Sequence, residues 1–174
     1  MRALQWLAQR EHSRAELRDK LLRLLERDAR GARQGRDSGA VRPDSADDGS
    51  APSIPAVEVD AVLDWLQQNG HLSDARFTES RVHARQARFG NRRIQQELQQ
   101  HGVALDLAAR QALQQSELAR ATEVWRRKYG APAVDAAGRV RQLRFMVGRG
   151  FSLEVVRRVV QGSTDAADNA GCDA

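Results

Sequence analysis

The sequence has one cysteine, Cys172, and no long hydrophobic run. A single thiol excludes a disulfide framework and a thiolate metal site within the chain. No segment approaches the ~18 apolar residues that a membrane-spanning helix needs, and no apolar run at the start resembles a secretory signal. We therefore expect a cytoplasmic protein that does not associate with a membrane.

Residues arranged for catalysis are also missing. The four histidines are scattered, and no two have metal-ligand spacing with a nearby acid or cysteine. Glu79 and His83 share a helix face at i,i+4, which we interpret as a surface pair and not as a pair of ligands. The sequence contains no glycine-rich phosphate loop, no strand-turn-helix nucleophile motif and no paired carboxylates of the kind that hold two metal ions. These absences predict no catalytic residues, no metal site and no cofactor.

Positive charge is abundant and unevenly placed. The chain carries 28 Lys and Arg against 23 Asp and Glu, a net charge of +5. Between Arg76 and Gln95 the sequence has six arginines and one glutamate, and between Arg139 and Arg158 it again has six arginines and one glutamate. Acidic and basic residues are balanced in the first part of the chain. A basic surface in the second half indicates an anionic partner, either nucleic acid or acidic protein.

Two segments lack any hydrophobic period, namely residues 30–55 and 163–174. Their polar composition cannot bury enough apolar surface to offset ordering entropy, so we expect a flexible insert and a disordered tail. The rest of the chain has the residue types that are typical of helix starts and helix ends. Glycine is expected just past helix ends at Gly70, Gly102, Gly130 and Gly150. Helix starts are expected at Ser13, Ser73, Asn91, Ser116 and Ser152.

A repeat of 48 residues organises the chain. The tripeptides "VEV" at 57–59, "LDL" at 105–107 and "LEV" at 153–155 are evenly spaced, and "GVALDLAARQAL" aligns with "GFSLEVVRRVV". A fixed period of this length indicates stacked supersecondary units. We predict an all-α fold with three tandem three-helix repeats stacked into an elongated curved array. The predicted domains are 1–69 with the insert at about 30–55, 70–114, 115–162 and the tail 163–174. The predicted helices are 2–10, 13–26, 56–69, 73–88, 91–101, 104–114, 116–129, 135–148 and 152–161.

Arg92 and Arg93 are placed where cations are unfavourable. Both fall in the first turn of a predicted helix, where each opposes the macrodipole by about 0.3–1 kcal/mol. This suggests that an anion, either phosphate or carboxylate, binds there. A reader of single-stranded DNA would add exposed aromatic residues for base stacking. The candidates are Phe77, Phe89, Trp125 and Tyr129, but the positions of the last three are typical of core residues.

Four blocks of the sequence resemble the RecX family, the bacterial regulators of the RecA recombinase. They read "REHSRAELRDKLLRL", "LDWLQQNGHLSDARFTESRV", "RFGNRRIQQELQQHGV" and "RFMVGRGFSLEVVRRVV". The resemblance covers nearly the whole chain outside the insert and tail. It implies three tandem three-helix repeats and a non-enzymatic modulator that lies in the groove of the RecA nucleoprotein filament. It further implies suppression of ATPase, strand-exchange and co-protease activities.

The family has no catalytic motif, so the candidate partner-binding and DNA-binding residues are chosen by charge. They are Arg81, Arg85, Arg88, Arg92, Arg93, Arg126, Arg127, Lys128, Arg139, Arg144 and Arg149. We expect weaker, non-specific binding to free single- and double-stranded DNA, and a monomer, since no heptad seam or large exposed apolar stripe is visible. Two alternatives stay open. One is a general DNA-binding helical array that reaches the recombinase only through shared DNA, and the other is a helical adaptor whose basic surface only confers solubility.

Overall fold

The structure, a computed structural model, describes residues 2–34 and 56–168. Every regular element in those ranges is an α-helix, which confirms the predicted all-α class. The helices are α1 Arg2–Gln9, α2 Arg14–Gln34, α3 Ala56–Gln68, α4 Asp74–Gln86, α5 Asn91–Gln100, α6 Leu107–Tyr129, α7 Ala136–Gly148 and α8 Leu153–Asp168.

The chain divides into two compact units, of which unit 1 is Met1–Phe77. Its core forms where the apolar stripes of α2 and α3 meet, and it is completed by α1 and by Leu72, four residues after the end of α3. The core residues are Ala3, Leu17, Val59, Leu63, Leu66 and Leu72. Burial of each larger side chain contributes about 1.5–3 kcal/mol, so this small cluster is the main stabilising element of unit 1.

Unit 2, Thr78–Ala174, has its principal core between α6, α7 and α8. The buried residues are Ala121, Val124, Trp125, Met146, Phe151, Val156, Val159 and Val160. Trp125 carries a polar group into this core, and its Nε1 donates to Oε1 of Gln142 at 3.1 Å. Gln142 in turn donates to the carbonyl of Ala131 at 3.2 Å, so both buried side chains are satisfied.

Most of the predicted helix boundaries agree with the structure. All four glycines expected past helix ends have positive φ, between 69° and 85°. The hydroxyl of Ser13 accepts from the amide of Glu16 at 3.0 Å, and that of Ser73 accepts from Arg76 at 3.3 Å. Ser152 does the same for Val155 at 3.4 Å. These three N-terminal caps are confirmed.

The predicted helix boundary at Ser116 is wrong. Helix α6 continues through this position from Leu107 to Tyr129, and the Ser116 hydroxyl donates to the carbonyls of Ala112 and Leu113 instead of capping a helix start. The predicted pair 104–114 and 116–129 is therefore one helix that begins at an Asp106 cap.

Two helices continue farther than predicted, α2 to Gln34 and α8 to Asp168. For α2, the sequence "DARGARQ" after Arg27 holds Ala, Arg and Gln, which are good helix formers. Residues 35–55 of the predicted insert and 169–174 of the predicted tail lie outside the described residues.

Candidate interface for an anionic partner

Four of the predicted arginines line one open groove in unit 2. Arg81 and Arg85 project from α4, and Arg92 and Arg93 project from the first turn of α5. The groove has a volume of about 690 Å³. Its other lining residues are Gln96, Glu97, Gln100, His101, Val147, Gly148 and Gly150. We call it the cationic groove, because its four arginines and one glutamate give a formal charge of +3.

Glu97 of α5 lies between two of these arginines. Its carboxylate is 3.3 Å from Nη1 of Arg81 and 3.0 Å from Nε of Arg85. The three side chains are only partly buried, and such pairs contribute at most about 1 kcal/mol. Two of the four groove arginines are thus paired with a carboxylate of the same chain by contacts that are individually weak.

A second group of arginines surrounds Phe89, which lies between α4 and α5. The guanidinium carbon of Arg93 is 4.4 Å from the ring centroid, that of Arg149 is 5.7 Å away, and those of Arg85 and Arg88 are each 5.9 Å away. We call these five residues the Phe89 cluster. Contact with an aromatic face holds a guanidinium in place while its N–H edge stays free to donate.

The Phe89 cluster changes how the aromatic residues are interpreted. Phe89 is half-buried beneath guanidinium groups rather than placed in the apolar core. Phe77 and Trp125 are buried, and Tyr129 packs against the core of unit 2. None of the four aromatic residues considered from the sequence is therefore an open platform for base stacking.

The predicted cations at the end of α6 have a structural explanation of their own. Arg126 and Arg127 lie 3.7 and 2.8 Å from the carboxylate of Glu123, and Lys128 lies 6.0 Å from the ring centroid of Phe145. Cations in a last turn also stabilise the helix macrodipole. Their charges are partly compensated within the chain, so they carry less weight than the groove arginines.

Arg139 and Arg144 are exposed on α7. Neither forms an ion pair with any described residue, and neither lines the cationic groove or joins the Phe89 cluster. The structure thus brings together Arg81, Arg85, Arg88, Arg92, Arg93 and Arg149, and it places the remaining predicted residues outside this group.

A buried carboxylate missing from the predicted set lies behind the groove. Glu117 of α6 is 5% exposed, and its Oε1 accepts from the amide of Asn91 at 3.1 Å. The first turn of α5 is thus capped by an anion of the same chain, and the amide of Arg92 donates to Gly150. The backbone at the start of α5 thus has partners within the chain, while the side chains of Arg92 and Arg93, from which we inferred an anion site, are exposed.

The buried position of Glu117 has a signal in the sequence. It falls on the apolar stripe of α6 that also contains Leu113, Ala121 and Val124. An acid at such a position must find donors inside the protein, because an unpaired buried charge is very costly. The identity of those donors depends on the tertiary fold, so sequence reasoning could have found the residue without its role.

Arg120, one turn beyond Glu117, is a second residue outside the predicted set. It donates to the carbonyls of Phe89 at 2.9 Å and Gln86 at 3.1 Å, and also to the side chain of Asn91. Burial lowers the pKa of Arg120, and the charge of Glu117 opposes this shift. Arg120 thereby caps the end of α4 while Glu117 caps the start of α5.

Other kinds of site receive no support from the described parts of the chain. In residues 2–34 and 56–168, no three His, Cys, Asp or Glu side chains are grouped closely enough to hold a metal ion. No helix in these ranges is long and apolar enough to cross a membrane.

Comparisons with known proteins identify the family. The model for the second three-helix domain of RecX matches residues 73–113, and the model for the third matches residues 115–160. A protein named regulatory protein RecX from Ralstonia nicotianae is 42% identical over 170 residues, which cover 97% of this chain and 89% of the relative. The chain belongs to the RecX family.

Further RecX proteins are similar over most of their length. The one from Leptothrix cholodnii is 44% identical over 162 residues, covering 92% of this chain and 85% of the relative. The one from Herminiimonas arsenicoxydans is 40% identical over 169 residues, covering 96% and 93%. The two RecX domain matches confirm tandem three-helix repeats, and we call these domains repeat 2 and repeat 3. Their boundary falls inside the continuous helix α6.

Proposed function

We propose that this chain is a non-enzymatic regulator, mainly an inhibitor, of a RecA recombinase. In this proposal it binds along the groove of the RecA–DNA filament and suppresses ATPase, strand-exchange and co-protease activities. Membership of the RecX family supports this role, since the relatives are named regulatory proteins. The proposed location is the cytoplasm.

The observation that carries the proposal is the concentration of arginines where repeat 2 meets repeat 3. The cationic groove and the Phe89 cluster share Arg85 and Arg93, so six guanidinium groups form one continuous set. Guanidinium binds carboxylate and phosphate with the same fork of N–H donors. A surface of this kind suits a filament that presents acidic protein side chains beside DNA phosphates.

The same surface favours binding without sequence preference. The four candidate aromatic residues are covered or buried, so base stacking adds little. Contacts from arginine to phosphate carry no sequence information and weaken as salt rises. We propose that free single- and double-stranded DNA is bound more weakly than the filament.

The test is the steady-state ATPase of the cognate RecA on single-stranded DNA, titrated with this chain at fixed near-physiological salt. Binding to naked DNA is measured in parallel. Inhibition at concentrations well below those that occupy naked DNA supports direct regulation of the filament. Inhibition that only follows DNA occupancy favours the general DNA-binding alternative, and absence of both interactions favours the adaptor with a solubilising surface.

A double charge reversal tests the groove itself. We expect Arg92→Glu/Arg93→Glu to raise the concentration needed for inhibition at least about tenfold, a loss of about 1.4 kcal/mol. Acidic residues are favourable in the first turn of α5, so helicity should be retained. The matched control is Arg23→Glu/Arg27→Glu on α2, which changes the net charge equally at two exposed arginines of unit 1. Equal inhibition by both folded variants would remove Arg92 and Arg93 from the interface.

We propose that the protein is a monomer. An exposed apolar surface in unit 1 makes the oligomeric state worth measuring. Helix α3 exposes Val57, Val62 and Trp65, the last with 51% of its surface accessible. This apolar surface was not anticipated from the sequence pattern. Sedimentation analysis over a range of concentrations tests the oligomeric state directly.

A further inference from the structure

Glu117 contacts the start of a helix in each of two repeats. Its Oε1 accepts from the amide of Asn91, the first residue of α5, and from the amide of Ser152 at 3.3 Å. Ser152 immediately precedes α8. Helix α5 belongs to repeat 2 and α8 to repeat 3. One carboxylate oxygen therefore caps two helices that lie about 60 residues apart in the sequence.

The backbones of the two repeats are in direct contact beside this carboxylate. The amide of Gly90 donates to the carbonyl of Arg149 at 3.0 Å, and the amide of Arg92 donates to the carbonyl of Gly150 at 3.1 Å. A Cβ atom at Gly150 would lie 2.5 Å from that of Arg93, so only glycine permits this approach. We call this region, formed by residues 89–93, 117–120 and 149–152, the repeat junction.

The repeat junction fixes the distance between cations of different repeats. Arg93 of repeat 2 and Arg149 of repeat 3 contact the same Phe89 ring. The guanidinium of Arg149 also donates to the carbonyl of Arg88 at 3.2 Å. The junction therefore holds Arg149 of repeat 3 against the five arginines that repeat 2 contributes to the cationic surface of the proposed function.

We propose that Glu117 is a positioning residue that makes the cations of repeats 2 and 3 engage one anionic partner together. When two binding modules are held in a fixed geometry, binding of the first places the second beside the same partner at a high effective concentration. Two loosely connected modules lose this gain in affinity. Glu117 is too deeply buried to meet the partner itself. The inference rests on the proposed function, because it concerns how that interface is assembled.

The test compares Glu117→Met with Glu117→Gln. Methionine keeps the length and helix propensity of glutamate but accepts no useful hydrogen bond, and it fills the buried space without a charge. Glutamine keeps one amide oxygen, which is sufficient because both bonds of Glu117 go to Oε1. The control is Glu26→Met, a substitution of an exposed acid on α2 in unit 1.

The readout is the salt dependence of binding to RecA filaments on single-stranded DNA. The chain is labelled at Cys172, its only cysteine, and its affinity is measured by fluorescence anisotropy over a series of KCl concentrations. Log affinity falls as log salt rises, and each lost phosphate contact makes this negative slope shallower by about 0.7–0.9. We expect Glu117→Met to lower the magnitude of the slope by about 0.7–0.9, equivalent to the one contact that Arg149 of repeat 3 would contribute. Glu117→Gln and Glu26→Met should keep the wild-type slope.

A change in slope separates positioning from a simple loss of folded protein. The folded fraction of each variant is measured by circular dichroism at every KCl concentration, and each affinity is corrected for it before the slope is taken. A wild-type slope in Glu117→Met would overturn the inference. A decrease in slope in Glu117→Gln as large as the decrease in Glu117→Met would also overturn it. The charge reversal at Arg92 and Arg93 reports separately on the interface. If that variant loses inhibition while Glu117→Met keeps its slope, the proposed function stands and only the positioning role fails.

Discussion

Replacement of Gly90 by alanine tests the repeat junction at its tightest point. A methyl carbon at Gly90 would lie 2.2 Å from the amide nitrogen of Phe151, and 2.3 Å from both the carbonyl carbon and the oxygen of Gly150. These are backbone atoms, which cannot rotate away as a flexible side chain can. The chain segments on either side of the junction must therefore separate.

The cost follows from the contacts that separation breaks. Two backbone hydrogen bonds cross the junction here, from Gly90 to Arg149 and from Arg92 to Gly150. A buried backbone group left without a partner costs about 1–3 kcal/mol. The neighbouring Phe151 is fully buried and loses packing as well. We expect Gly90→Ala to lower the free energy of unfolding by about 3–5 kcal/mol.

The matched control is Gly148→Ala, two residues before Gly150. A Cβ atom there has no heavy atom within 4 Å, and Gly148 lies at the end of α7. Alanine should therefore stabilise the protein by up to about 0.5–1 kcal/mol, through its helix propensity and a less flexible unfolded chain. The two glycine substitutions thus have opposite expected signs.

Urea unfolding followed by the fluorescence of Trp125 measures both variants. Trp125 lies in the core of unit 2, and it is the sole tryptophan once Trp6 and Trp65 are changed to phenylalanine. If Gly90→Ala and Gly148→Ala had equal stability in this background, the close backbone contact at Gly90 would be refuted.

Two further predictions concern charge. Glu97→Gln should tighten binding to RecA filaments about two- to fivefold, because the negative charge between Arg81 and Arg85 is removed from the cationic groove. The control in the same anisotropy assay is Glu123→Gln, which removes a carboxylate between Arg126 and Arg127 outside the groove. Burial lowers the pKa of His12 from 6.5 by more than the carboxylate of Glu16 raises it. The unfolded chain therefore binds a proton that the folded chain excludes, so stability present above pH 6.5 should fall as the pH drops through this value. Urea midpoints at pH 7 and 5 should show a smaller fall in His12→Gln.

Features that depend on neighbouring residues could be predicted from the sequence. The four glycines with positive φ and the caps at Ser13 and Ser73 act within one turn of the chain, so their residue types are sufficient evidence. The 48-residue period also led to the correct fold class, because equal spacing of apolar residues requires equal packing units. The predicted binding residues were chosen for their charge density in sequence, and the structure brings six of the eleven together in the cationic groove and the Phe89 cluster.

Features that depend on distant contacts could not be predicted in this way. Asn91 was expected to cap α5, but its side chain donates to the carbonyl of Leu113, and the cap residue is Gly90. Ser116 was expected to begin a helix, but it lies inside one. In both cases a residue typical of helix starts has found other partners, and those partners are known only once α6 is placed beside α5.

The Phe89 cluster shows why charge density alone does not define the interface. Its four guanidinium groups lie within 5.9 Å of one ring, and two unit charges about 8–12 Å apart in water repel by about 0.3–0.5 kcal/mol. A cation–π contact at an exposed site contributes about 0.5–1 kcal/mol, which offsets much of this repulsion. The free protein can therefore hold these cations close together at little cost. Arg126 and Arg127, by contrast, already pair with Glu123, so an incoming anion gains less from them than from Arg93 and Arg149.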